Sequence, residues 1–302
     1  MGTPEIAVKS LEAMIAENII PVAIVTTPDK PKGRGQKLEF SAVKKKAIEL
    51  NIPILQPDKL KDENFISEVK NLTPDLIVVV AFRVLPKEIL SIPKLGAINL
   101  HASLLPKYRG AAPINWAIIN GEKKSGVTTF FLNEKIDSGK IIFQKECEIS
   151  SEMNAGDLHD NLSVIGSELL IKTINSILNG NVVELIQNET FVTPAPKIFK
   201  QNCKINFNQS SEIIHNFIRG LSPNPTAWCN FKNKSVKIYQ TKMSNQNYSE
   251  INPGKIIEIK NQLFVSTNNG FLEILKLQVE GGKIISANEF LRGYKIENEF
   301  FN

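Results

Sequence analysis

Between Asp75 and Phe82 the sequence runs Asp-Leu-Ile-Val-Val-Val-Ala-Phe, an almost unbroken apolar stretch. Such a run fits a strand buried on both faces, and strands of that kind sit in the middle of parallel sheets covered by helices. The preceding sequence supports that geometry. Residues 20–25 read as a strand, 41–50 as a helix, 53–55 as a short strand and 61–70 as a second helix. Strand–helix alternation predicts an α/β, doubly wound (Rossmann-like) domain. In open sheets of this type, ligands bind at the carboxyl ends of the strands.

The next strand ends on chemistry. Within residues 97–101, Asn99 and His101 are two apart, so in extended chain they project from the same face. Polar groups at a buried strand end are costly unless satisfied or used. Ser103-Leu104-Leu105-Pro106 then breaks the strand. Residues 111–119 read as a helix with Pro113 in its first turn, where a missing N–H does no harm. Residues 127–132 and 140–147 read as a hairpin around Asp137-Ser138-Gly139; by spacing alone, Asp137 is a turn former. Asn154 or Asp157 caps a long helix with Leu158, Leu162, Ile165, Leu169 and Ile177 on its core face, ended by Gly180. His159 and His215 read as surface or packing histidines.

A catalytic domain is expected over residues 1–189, a linker over 190–206 and a second domain over 207–302. The linker contains Thr193-Pro194-Ala195-Pro196. Beyond it come a helix at 210–219 and five short strands at 226–231, 235–241, 254–259, 262–267 and 271–278, a pattern that predicts a small β-barrel. A closing helix is expected at 286–291. Charge divides at the same place. From Thr190 onward 14 Lys and Arg stand against 8 Glu and no Asp, a net of +6, while residues 1–189 carry 22 basic and 23 acidic side chains. A basic terminal domain is the footprint expected of an RNA-handling module. Residues 26–37 hold four basic residues among two Pro and two Gly, which composition alone reads as an exposed loop. A hydrophobic content of 42% suits soluble globular cores. There is no run of about 18 apolar residues, so no membrane span is expected. No basic-then-apolar segment opens the sequence. The three cysteines are odd in number and far apart, which argues against a disulfide framework and a zinc site. Together these point to the cytoplasm.

The string Asn99-x-His101-x-Ser103-Leu104-Leu105-Pro106-x-Tyr108-Arg109-Gly110, followed by Asp137-Ser138-Gly139, resembles the folate-dependent formyltransferase family. Ala111-Ala112-Pro113-Ile114, and Thr27-Pro28-Asp29-Lys30-Pro31 with Gly33-Arg34-Gly35, resemble its branch acting on initiator methionyl-tRNA. The resemblance covers almost the whole chain. It implies transfer of the formyl group of 10-formyltetrahydrofolate, a co-substrate, to the amino group of initiator methionyl-tRNA, with catalysis by Asn99, His101 and Asp137 and no metal. It further implies that Ser103, Leu104, Leu105 and Pro106 line the folate site. The loop bearing Lys32, Arg34 and Lys37 would enter the tRNA acceptor stem, and the C-terminal domain would be OB-like. Arg83 departs from the family pattern at the border of the pterin pocket. A monomer is expected, with no membrane partner. In such a reaction Asn99 offers a donor to the developing oxyanion, and His101 can donate to it or shuttle a proton. Asp137 can orient the histidine or accept a proton, and the choice of acceptor between His101 and Asp137 stays open. The nearest rival is a formyltransferase acting on a small amine, such as glycinamide ribonucleotide or an amino sugar. The basic loop and basic C-terminal domain count against it. A more distant rival, an RNA-binding protein with a degenerate catalytic domain, is disfavoured by the presence of all three residues.

Thr3-Pro4-Glu5 reads as a helix start with Thr3 as N-cap. A doubly wound sheet needs a strand ahead of its first helix, and a helix beginning at Thr3 leaves no room for it. The expectation is that about five or six strand residues precede Met1, a usual strand length, and that a chain extended upstream is the more stable.

Overall fold

The computed structural model describes residues 1–32, 37–244 and 252–302. They form two compact units, each built from discontinuous chain. The first takes Met1–Gly110, Ser125–Cys147 and His159–Pro194; the second takes Ala111–Lys124, Glu148–Leu158 and Ala195–Asn302.

In chain order the elements are α1 (Glu5–Ala16), β1 (Ile24–Val25), β2 (Lys30–Lys32), β3 (Lys37–Glu39), α2 (Ala42–Glu49), β4 (Ile54–Leu55), α3 (Glu63–Asn71), β5 (Ile77–Val80), α4 (Lys87–Leu90), β6 (Ala97–His101), β7 (Arg109–Gly110), α5 (Pro113–Ile119), β8 (Lys124–Phe131), β9 (Ile141–Glu148), α6 (Ala155–Leu178) and β10 (Pro194–Ala195). The apolar run forms β5, which pairs in parallel with β6; β6 pairs antiparallel with β8, and β9 lies beyond β8. β1 pairs in parallel with β4. Of residues 20–25 only the last two form a strand; Ile20 and Val22 are exposed. The core between sheet and helices gathers Val25, Phe65, Val69, Ile77, Val79 and Ile89.

Met1 and Gly2 take the place between β1 and β5. The Gly2 N–H donates to the Val25 carbonyl at 3.0 Å, and the Val80 N–H donates to the Met1 carbonyl at 3.0 Å. Gly2 bridges Val80 in parallel. The chain must pass close here: a Cβ on Gly2 would lie 2.6 Å from the Ala7 Cβ and 2.8 Å from the Val80 oxygen. The Met1 amino group donates to the Val78 carbonyl at 2.6 Å, and burial pushes its pKa down to about 5. An apolar cleft of about 290 Å³ adjoins it, lined in part by Leu11, Met14, Ile24, Ile77 and Val78. The helix start differs from the expectation. α1 begins at Glu5 with Pro4, not Thr3, at its N-cap and no side-chain cap bond; the Thr3 hydroxyl is buried without a hydrogen-bond partner.

The second unit contains α5, α7 (Ser211–Leu221), β11 (Ala227–Phe231), β12 (Lys234–Met243), β13 (Ile256–Ile259), β14 (Gln262–Ser266), β15 (Phe271–Val279), β16 (Ile285–Ser286) and α8 (Ala287–Gly293). Its antiparallel sheet has the order β11-β12-β15-β14-β13, with β16 beside β15. Among the described residues β11 and β13 do not pair, so the strand order is open. Residues 299–302 bond to both edges. Asn302 exchanges two backbone hydrogen bonds with Asn230, and the Phe301 N–H donates to the Gly254 carbonyl at 2.8 Å. Phe231, Phe290 and Phe301 fill the interior.

Candidate active site

β6 ends at His101, and both Asn99 and His101 are buried, on the same face of the strand. His101 Nε2 lies 2.8 Å from the Tyr108 carbonyl. A carbonyl only accepts, so Nε2 carries the hydrogen, and in the neutral ring Nδ1 keeps a lone pair. Nδ1 faces Asp137 Oδ2 at 3.7 Å. Asp137 sits in the left-handed region at φ +48°, where Asp is among the tolerated residues. Its Oδ2 accepts from the Gly110 N–H at 2.8 Å. Two residues on, a Cβ at Gly139 would fall 1.6 Å from the Phe131 oxygen, so only glycine fits there. Phe130 stands edge-on to the His101 ring, 6.5 Å between centroids. The fold therefore brings Asn99, His101 and Asp137 to one strand end.

The expected folate-lining residues divide. Ser103 is fully buried, and its hydroxyl donates to the Lys107 carbonyl at 2.6 Å, closing the loop. Leu105 is buried against Phe130 and Ile141, while Leu104 and Pro106 are half-buried. Thr128 and Gln144 staple this loop from β8 and β9. The Thr128 hydroxyl donates to the Ser103 carbonyl at 2.6 Å, and Gln144 Nε2 donates to the Leu105 carbonyl at 2.8 Å. Arg83 turns back onto the carbonyls of Pro57 and Asp58, both at 2.8 Å.

Beside the Asp137 turn opens a cleft of about 810 Å³, lined by Leu90, Arg109, Leu132, Ile136, Ser138 and Glu189 among others. Its lining is mainly polar: Lys87, Arg109, Glu134, Lys135 and Glu189 are charged, and Leu90, Leu132 and Ile136 supply the apolar side chains. Arg109 forks onto the Glu189 carboxylate at 2.8 and 3.1 Å, which holds that carboxyl below its usual range, and also onto Gln187. Thr193 fixes the neighbouring backbone: its hydroxyl accepts from the Tyr108 N–H and its carbonyl from the Arg109 N–H, both at 2.9 Å. Gln187, Thr193, Thr128 and Gln144 carry no sequence signal of their own, because each meets the site through contacts distant in the chain.

At the basic loop, β2 and β3 pair as a short hairpin with Lys32 opposite Lys37, where composition alone suggests an open loop. Arg34 and the side chains of Lys32 and Lys37 lie outside the described residues. The base of the loop is tied by Lys44 Nζ to Asp29 at 2.5 Å and to Gln56 at 2.7 Å. His159 lies on α6 beside Asp160 at 3.0 Å, and His215 is buried in the second unit.

An Asn and a His on one face of a strand end, with an Asp carboxylate facing the histidine, are groups that acid–base and oxyanion chemistry can use. Residues 1–174 match the family described as "Formyl transferase" and residues 197–295 its "Formyl transferase, C-terminal domain", and the chain belongs to this family. Within it, the chain is 49% identical to a methionyl-tRNA formyltransferase of Flavobacterium johnsoniae, over 99% of this chain and 96% of that one. It is also 49% identical to one of Thermodesulfovibrio yellowstonii, over 98% and 95%. Among solved structures it resembles WlaRD, a sugar 3N-formyl transferase determined in the presence of dTDP and 5-N-formyl-THF. That match has a TM-score of 0.67, 26% identity, and covers 93% of this chain and 97% of that one. No helix among the described residues is long and apolar enough to cross a membrane.

Proposed function

We propose that the protein transfers the formyl group of 10-formyltetrahydrofolate to the amino group of methionyl initiator tRNA, for the initiation of translation. The observation that carries this reading is the meeting of Asn99, His101 and Asp137 at the end of β6, in a chain whose relatives at 49% identity are methionyl-tRNA formyltransferases. Bound folate supplies an electrophilic formyl carbon and a nitrogen leaving group. The Asn99 amide donates to the carbonyl oxygen as negative charge develops there. His101 keeps its Nε2 hydrogen on Tyr108, so Nδ1 is the ring atom free to take a proton from the attacking amine. Asp137, anchored on the Gly110 N–H, stabilises the resulting imidazolium, which gives the proton to the folate nitrogen as that nitrogen's bond to the formyl carbon breaks. Ser103, Leu104, Leu105 and Pro106 shape the folate side of the site, with Leu104 and Pro106 the two whose surfaces are partly open.

Lys32, Arg34 and Lys37 bind the tRNA acceptor stem. Residues 1–189 act as the catalytic domain, 190–206 as a linker and 207–302 as a basic, OB-like tRNA-binding domain; residues 299–302, bonded to both β11 and the start of β13, support the OB-like reading. The protein works as a monomer in the cytoplasm. The test offers 10-formyltetrahydrofolate with methionyl initiator tRNA, glycinamide ribonucleotide or a nucleotide-linked amino sugar as acceptor. Formylation of the tRNA in strong preference is the expected result, and preference for either small amine would overturn the reading.

A further inference from the structure

The strap of residues 183–191 has its burial inverted. Val183, Leu185, Ile186 and Phe191 are exposed, and Gln187 alone in the strap is buried, at 6%. Burying an amide while apolar neighbours face water is unfavourable unless the amide's hydrogen bonds are made. Here all four are made. Nε2 donates to the carbonyls of Asp137 at 2.9 Å and Gly139 at 2.7 Å. Oε1 accepts from Arg109 Nε at 3.1 Å and Nη2 at 2.8 Å. The carbonyls only accept and the guanidinium only donates, so the orientation of the amide is fixed by its partners. Leu185 anchors the strap just upstream, exchanging backbone bonds with Ile141 at 2.8 and 2.9 Å.

The clamped turn carries Asp137 at φ +48°, a conformation that persists in a non-glycine residue when the surroundings hold it. We propose that Gln187 is a positioning residue for formyl transfer. It grips the carbonyls on both sides of Ser138 and ties them to Arg109. This keeps the Asp137 carboxylate on the Gly110 N–H and facing His101 Nδ1. The inference rests on the formyl-transfer reading above. The side-chain requirements are narrow. Glutamate accepts from Arg109 but cannot donate to either carbonyl. Asparagine is one methylene short. Methionine matches the length but makes none of the four bonds.

The test measures kcat, KM and the pH profile of kcat/KM for wild type, Gln187→Met and Gln187→Glu, with 10-formyltetrahydrofolate and methionyl initiator tRNA. Gln187→Met is expected to lower kcat about ten- to a hundredfold, the scale of a small misplacement of catalytic groups. KM for both substrates should stay within about twofold, since Gln187 is buried and spends all four hydrogen bonds within the protein. Gln187→Glu should lose kcat to a similar degree. It should also move the acid limb of the profile to higher pH, because a carboxylate behind the turn favours the protonated imidazole. If Gln187 only held Arg109 in place, Glu would restore wild-type behaviour. The proposal is overturned by wild-type kcat and acid limb in Gln187→Glu, or by a loss carried wholly in KM. Should Gln187→Met fail to fold, Gln187→Glu decides alone. An inactive wild type would bring down the formyl-transfer reading as well; an active wild type with an unaffected Glu variant overturns the Gln187 role alone.

Discussion

His101 is held from both sides of its ring, by the Tyr108 carbonyl at Nε2 and by Asp137 across from Nδ1. In the proposed mechanism that arrangement leaves Nδ1 as the nitrogen to take the proton and sets the carboxylate behind the imidazolium. Asn99→Ala should therefore lower kcat by about a hundred- to a thousandfold, the usual loss for one oxyanion donor. Asp137→Asn keeps an acceptor for the Gly110 N–H but removes the charge behind the imidazolium, and should lower kcat by about a hundredfold or more. Steady-state rates with saturating tRNA check both, and near-normal turnover in either variant would remove that residue from the mechanism. Asn99, His101 and Asp137 were legible in the sequence because a strand end and a turn carry them in a recognisable string. Gln187 was not. Its partners are far away in the chain, and its own neighbours Val183, Leu185 and Ile186 read as the residues to bury.

Among the elements, period and caps carried most of the information. β5 was read from its apolar run, and α6 from its spacing. Its cap uses both candidates: Asn154 accepts from the N–H groups of Gly156 and Asp157, while Asp157 accepts from the Asn154 N–H, a reciprocal box. Local pattern failed where tertiary pairing decides, as in the β2–β3 hairpin within a loop that composition leaves open. His215 on α7, read as a surface or packing histidine, is a packing one. Its ring is buried between Thr241 Oγ1 at 2.9 Å and the Ser151 carbonyl at 3.4 Å. Burial is the main cause that lowers its pKa; the hydrogen bond to the Ser151 carbonyl opposes it, Arg219 lowers it further, and Glu152 and Glu212 oppose. Below the ordinary histidine value of about 6.5, the unfolded chain then binds a proton that the folded unit refuses, so stability falls as pH drops through that value. His215→Gln should flatten this dependence. Thermal denaturation between about pH 7.5 and about pH 5 checks it, spanning the histidine range; equal slopes for both proteins would contradict the assignment.

Across the whole molecule, the excess positive charge lies in the last third of the chain, and this was plain from the sequence. How the chain divides in space was not: residues 111–124 and 148–158 cluster with the C-terminal unit through contacts that no local pattern announces. If that basic unit holds the tRNA backbone, affinity should fall steeply with salt. Replacing the exposed Lys234, Lys242 and Lys276 by Gln should make the logarithmic salt dependence shallower, by about 0.7–0.9 for each phosphate that is no longer neutralised. Binding titrations at several salt concentrations check this, and an unchanged slope would place the tRNA elsewhere. The most direct test of the central claim is single-turnover formyl transfer from 10-formyltetrahydrofolate to methionyl initiator tRNA, with wild type and His101→Ala side by side and tRNA binding measured on the same samples. Rapid formylation by wild type is predicted, with a rate lower by about a hundred- to ten-thousandfold in His101→Ala at unchanged tRNA affinity. Equal rates in the two proteins, or no transfer to the tRNA by wild type, would contradict it.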